Sequence, residues 1–93
     1  MQLNRLILEI RQKISNAKTK IFLRDIEAAF HNYDTRGAGA IHLENFENVL
    51  QDHRILLKKW EYQVFLKAFA ADYEQKYLFW PKFIEAVIEP LSL

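Results

Sequence analysis

The stretch Asp34–Asn45 (DTRGAGAIHLEN) holds both glycines of the 93-residue chain, Gly37 and Gly39. Glycine serves where the backbone turns sharply and needs an angle that a Cβ resists. Asp34 carries the short acceptor that caps local backbone N–H groups in turns. On both sides apolar residues recur at helical spacing: Ile26, Ala29, Phe30 and Tyr33 before the stretch, Phe46, Val49 and Leu50 after it. The sequence therefore predicts a tight loop joining two amphipathic helices.

Counting from Asp34, Gly39 is sixth and Ile41 eighth. This arrangement resembles the EF-hand (calmodulin-like) superfamily. Its loop of about twelve residues takes oxygen ligands at the first, third, fifth and ninth positions, a backbone carbonyl at the seventh and a bidentate glutamate at the twelfth. The resemblance implies glycine at the sixth position and, at the eighth, an apolar residue that joins a short strand to a partner loop. It implies apolar residues one, four, five and eight positions before the loop, where Tyr33, Phe30, Ala29 and Ile26 stand. It implies them also one, four and five positions after, where Phe46, Val49 and Leu50 stand.

The ligand positions are degenerate: Asp34, Arg36, Ala38, Ala40, His42 and Asn45 occupy them. A calcium site needs several hard oxygen donors, and Asp34 alone is a good one. Arg36 puts a cation where a carboxylate belongs, and Coulomb repulsion makes that worse than a neutral gap. Ala38 offers no side-chain donor. His42 suits a hard cation poorly, and Asn45 gives at most one oxygen where glutamate gives two. Glu44 falls one position early. Two readings of Asp34 stay open, a cap on local N–H groups or a residual metal ligand. No metal or other cofactor is expected.

A single helix–loop–helix leaves apolar surface uncovered, so a second copy is expected downstream. Asp72 follows Asp34 by 38 residues, and DYEQKYLFWPKF read from it puts Phe79 at the eighth position. Ile84, Val87, Ile88 and Leu91 fill the apolar places of the exiting helix. The sixth position is Tyr77 and the twelfth Phe83, so this loop cannot bind metal. Its entering helix (Phe65, Ala68, Phe69) fits best with the frame slipped by one residue. Pro81 suits the first turn of a helix, where its missing N–H is no loss.

Periodicity supplies the remaining elements. Leu3, Leu6, Ile7, Ile10 and Ile14 predict an amphipathic helix over about residues 3–15. Thr19 is a candidate cap for a second helix burying Phe22, Ile26, Phe30 and Tyr33. A third runs from about Leu43 to Gln51. After a polar hinge at Asp52, His53 and Arg54, Ile55 and Leu56 lead into a fourth, with Trp60, Val64, Phe65, Ala68 and Phe69 on one side. A fifth runs from Pro81 to about Glu89, and Pro90 ends it. The expected fold is all-α: an N-terminal helix (1–18) and a degenerate EF-hand pair (19–93; first hand 19–52, second hand 57–91). The expected β-structure is a minimal bridge between Ile41 and Phe79.

Composition fits one small domain, with 51% of residues apolar and a formal net charge of +1. No run reaches the roughly eighteen apolar residues of a membrane span, and no signal-peptide pattern opens the chain. The absence of cysteine removes disulfides and thiolate chemistry. An intracellular setting, cytoplasmic or cytoskeletal, is the natural reading. Residues 1–24 hold Arg5, Arg11, Lys13, Lys18, Lys20 and Arg24 against Glu9 alone. That basic segment is either a solvated face or a surface for an acidic protein tail or anionic membrane. Nucleic acid is not expected, since the aromatics sit at core spacing.

No enzyme chemistry is expected. His31, His42 and His53 lie eleven residues apart, which is no metal-ligand spacing, and none sits beside a serine nucleophile. The expected function is calcium-independent binding of a dedicated protein partner through a hydrophobic groove or surface. Paired EF-hands accept amphipathic helices in such a groove, and calcium sensors line it with methionine. This chain has one methionine, at position 1, and aromatics instead. Arg5, Arg11, Lys13, Trp60 and Trp80 are the expected partner-binding residues. By resemblance to myosin light chains and to calcyphosin-like ciliary proteins, the partner is an amphipathic helix or a cytoskeletal or axonemal component, in a cilium or flagellum among other places. The N-terminal helix either packs on its own domain or pairs with a second copy. The alternative function is a regulatory calcium sensor with weak residual affinity.

Overall fold

The computed structural model describes residues 2–16 and 23–91. Helices α1 (Gln2–Ser15), α2 (Leu23–Tyr33), α3 (Leu43–Asp52), α4 (Lys59–Phe69) and α5 (Trp80–Phe83) carry most of them. Beyond α5 the chain stays helical through a π turn, Ile84–Ile88, and a 3₁₀ turn, Glu89–Leu91. Strands β1 (Ala40–His42) and β2 (Tyr77–Phe79) pair antiparallel. The fold is therefore mostly helical with a minimal sheet. Among the described residues, no helix is long and apolar enough to cross a membrane. Thr19, Phe22, Lys18 and Lys20 lie outside the described residues.

Side chains fix the helix ends. His42 precedes α3, and its Nδ1 accepts the Glu44 N–H at 3.1 Å. At the other end Arg54 adopts φ 64°, with its N–H on Gln51 O and the Ile55 N–H on Leu50 O. That is a Schellman closure, and the buried Ile55 supplies its apolar contact. Helix α4 opens with Glu61 Oε1 accepting the Lys58 N–H at 2.7 Å.

The two helix–loop–helix halves share a turn. Asp34 O accepts the Gly37 N–H, and its carboxylate accepts those of Ala38 and Gly39. Asp72 O accepts the Gln75 N–H, and its carboxylate accepts those of Lys76 and Tyr77. Gly37 (φ 65°) and Gln75 (φ 57°) take the same left-handed place. The halves then diverge. The first loop spends a further left-handed residue, Gly39 (φ 83°), before its strand, and the second does not. The second loop is one residue shorter, which is why Tyr77 stands where glycine was expected. The strand register shifts with it: Ile41 pairs with Leu78, and Phe79 pairs with Ala40. The expected Ile41–Phe79 bridge is thus corrected by one residue, and Leu78, not Phe79, is buried.

One core joins both halves. Phe30, Phe46, Phe65 and Phe83 are fully buried, and Phe83 meets the other three with ring centroids 5.1–5.9 Å apart. Phe69 is partly buried beside Phe65. Helix α1 packs on this core with Leu6, Ile10 and Ile14, lying against α4 and the π turn. Fully burying such side chains stabilises by roughly 1.5–3 kcal/mol each.

Three sequence expectations are corrected. Tyr33 is exposed rather than buried, and Trp60 and Ala68 are exposed, apart from the buried Phe65 with which they were expected to share a side. Beyond the polar stripe of Lys59, Gln63 and Lys67 the apolar residues of α4 spread over more than one side, so periodicity leaves its facing ambiguous; it buries Tyr62, Phe65 and Leu66, and Glu61 turns inward to cap Lys58. Pro90 does not end the last helix but sits inside its 3₁₀ turn.

Candidate functional site

Asp34 ties the first loop to the second half. Its Oδ1 accepts the Ala38 N–H at 3.0 Å; its Oδ2 accepts the Gly39 N–H at 2.7 Å and the Trp80 indole N–H at 3.0 Å. Trp80 is placed for this by its own N–H on Gly39 O at 3.1 Å, the bond that follows directly from β2. The indole stacks on Phe30 and meets the His31 ring edge-on at 4.6 Å. Burial pushes the Asp34 carboxyl up, but the bond from Trp80, those from Gly39 and Ala38, and nearby His31 outweigh it and hold it below its ordinary value. Gly39 completes the arrangement. An added Cβ there would lie 2.6 Å from the Phe79 ring.

The six ligand positions of the first loop do converge. Asp34, Arg36, Ala38, Ala40, His42 and Asn45 line one cavity of about 420 Å³, with Tyr33 and Tyr77 at its wall. The donor set does not fit a calcium ion. Its one carboxylate is engaged with three N–H donors, His42 Nδ1 accepts the Glu44 N–H, and Arg36 adds a positive charge. Among the described residues, no three His, Asp or Glu side chains gather to hold a metal. In the second loop Asp72 likewise caps backbone N–H groups.

The residues expected to meet a partner separate into two sets. Trp80 is corrected: it is 5% exposed and bonded to Asp34. Arg11 is turned onto its own domain, where Nε and Nη2 both donate to Ala86 O. Proline at position 90 explains that acceptor. A regular helix would supply Ala86 O with the N–H of residue 90, which proline lacks. The chain here widens to a π turn, with the Glu89 N–H on Ile84 O.

Arg5, Lys13 and Trp60 come together instead. With Leu6, Glu9, Lys58 and Glu61 they line a groove of about 440 Å³ between α1 and the start of α4. Lys13 Nζ donates to Leu56 O at 3.3 Å. The sequence offered no signal for Lys58, because it lies in the linker before α4 and joins α1 only through the fold. The Asp34–Trp80 bond was equally hidden, since 46 residues separate its partners. No family model and no curated protein matches the chain.

Proposed function

We propose that the chain is a degenerate EF-hand pair acting as a calcium-independent interaction module for a dedicated protein partner. Asp34 carries this reading. The one good ligand of the first loop has both carboxylate oxygens engaged by N–H donors of its own chain, one of them the Trp80 indole. Those donors do for this loop what an ion does in a sensor: they neutralise the acceptor and tie one half to the other. The shared Asp34 and Asp72 turns, and Ile41 facing Leu78 across the strands, support the kinship.

The partner surface is read as an outer one, because α1 covers the apolar surface of α4 and the π turn. The proposed setting is intracellular, in a cytoskeletal or axonemal assembly. Calcium titration by calorimetry, paired with melting in millimolar calcium and in EGTA, tests the reading. Heats at the level of dilution and coincident melting curves are expected. A melting temperature that rises clearly with calcium overturns it.

A further inference from the structure

The groove between α1 and α4 carries more positive than negative charge. Arg5 and Lys13 from α1 and Lys58 before α4 line it. Of its two acids, Glu61 is 5% exposed and engaged with the Lys58 N–H, which leaves only Glu9 facing solvent. Lys13 touches a neutral carbonyl, and among the described residues none of the three cations forms an ion pair. Trp60 lies in the same groove, 53% exposed, with Leu6 beneath. Tryptophan and arginine are the side chains that most often carry binding energy at protein interfaces.

We propose that this groove docks an acidic linear peptide of a protein partner, with Asp or Glu carboxylates on Arg5, Lys13 and Lys58 and one apolar side chain against the Trp60 indole. Arg5 offers a carboxylate a planar, two-pronged donor, and the lysines add point charges along the same line. The concavity favours a chain over a bilayer. Membrane-binding helices present basic residues flanking an apolar face that can enter the lipid, and here the apolar face of α1 is packed on the core. The inference rests on the reading of the chain as a protein interaction module.

The test titrates the full chain into a fluorescein-labelled Asp/Glu-rich peptide with one central phenylalanine, its Asn/Gln analogue, and phosphatidylcholine vesicles with and without phosphatidylserine. Saturable anisotropy with the acidic peptide, weakening with salt, and none with the analogue is expected. Arg5→Glu, Lys58→Glu and Trp60→Ala should each weaken it at least about tenfold, the effect of losing roughly 1.4 kcal/mol. Lys67→Glu, exposed in the last turn of α4, should leave it unchanged. In the wild type, the Trp60 indole N–H resonance should move on binding while that of Trp80 stays. Binding to phosphatidylserine vesicles alone, or equal loss in Lys67→Glu, overturns the groove. Running every arm in EGTA and in calcium separates the two readings. No binding in either refutes the groove, whereas binding only in calcium upholds the groove and refutes calcium independence.

Discussion

Asp34 and Tyr62 are buried polar groups with opposite fates. Asp34 has three donors, and the sign of its linkage follows. Its folded value is depressed, so its contribution to stability is present above the ordinary aspartate value of 3.8 and is lost as pH falls through the folded value. Trp80→Phe removes one of the three bonds, so the stability gap between variant and wild type should narrow on acidification below that value. Parallel denaturation profiles from pH 7 to pH 2 would refute the assignment. The Tyr62 hydroxyl, by contrast, is buried with no hydrogen-bond partner. Burial pushes its phenol up, only partly offset by neighbouring polar groups of Gln51 and Leu57 that stand outside bonding geometry. A raised value means stability that is full below the ordinary 10.0 and is lost as pH rises through the folded value. Tyr62→Phe removes an unmet donor from the core and should cost less than about 1 kcal/mol, or stabilise, while flattening the alkaline limb of unfolding. The capping role of Asp34 was legible from its chemistry and position; its indole partner was not, since only the fold brings it near.

At the scale of elements, the loops divide what sequence can and cannot tell. The first loop was legible through Gly39 and Ile41, because positive φ and strand burial select residue types. The second was legible only in outline. Its missing residue moved Leu78, not Phe79, into the core, and a one-residue slip in a strand exchanges its faces. The first loop keeps the shape to accept new ligands. Arg36→Asp, Ala38→Asp and Asn45→Glu together should give a calorimetric calcium affinity on the order of 10⁻⁴–10⁻³ M, weak because Trp80 still holds Asp34. Absence of any heat would show that the loop lacks ion-binding geometry. Helix α1 was legible as an amphipathic element, but whether it folds back or stands free was not, because its stripe fits either surface. With Leu6, Ile10 and Ile14 buried, deleting residues 1–15 removes about 4.5–9 kcal/mol, comparable to the whole stability of a small domain. Cooperative unfolding should be lost. A truncated chain as stable as the parent, by chemical denaturation, would place α1 outside the folding unit.

Across the whole molecule, the core converges on a residue that the loop frame obscured. In the loop frame Phe83 falls at the twelfth ligand position, yet its ring is the point where α2, α3 and α4 meet. Phe83→Ala should cost about 3–5 kcal/mol, as much as Phe30→Ala, whereas Trp60→Ala should cost little. Equal effects of Phe83→Ala and Trp60→Ala in denaturant titrations would show that the core is misassigned. Fold class was legible because helical periodicity is local; the facing of α4 was not, because its apolar residues span a wide arc that can turn several ways. The bond from Arg11 to the Ala86 carbonyl spans 75 residues, and that separation orders events in time. Synthesis runs from the N-terminus, so α1 leaves the ribosome well before the carbonyl that receives Arg11 is made. Until α4 and the proline-bearing turn have followed it, α1 has no surface to cover, and its apolar stripe is open to chaperones and to neighbouring nascent chains.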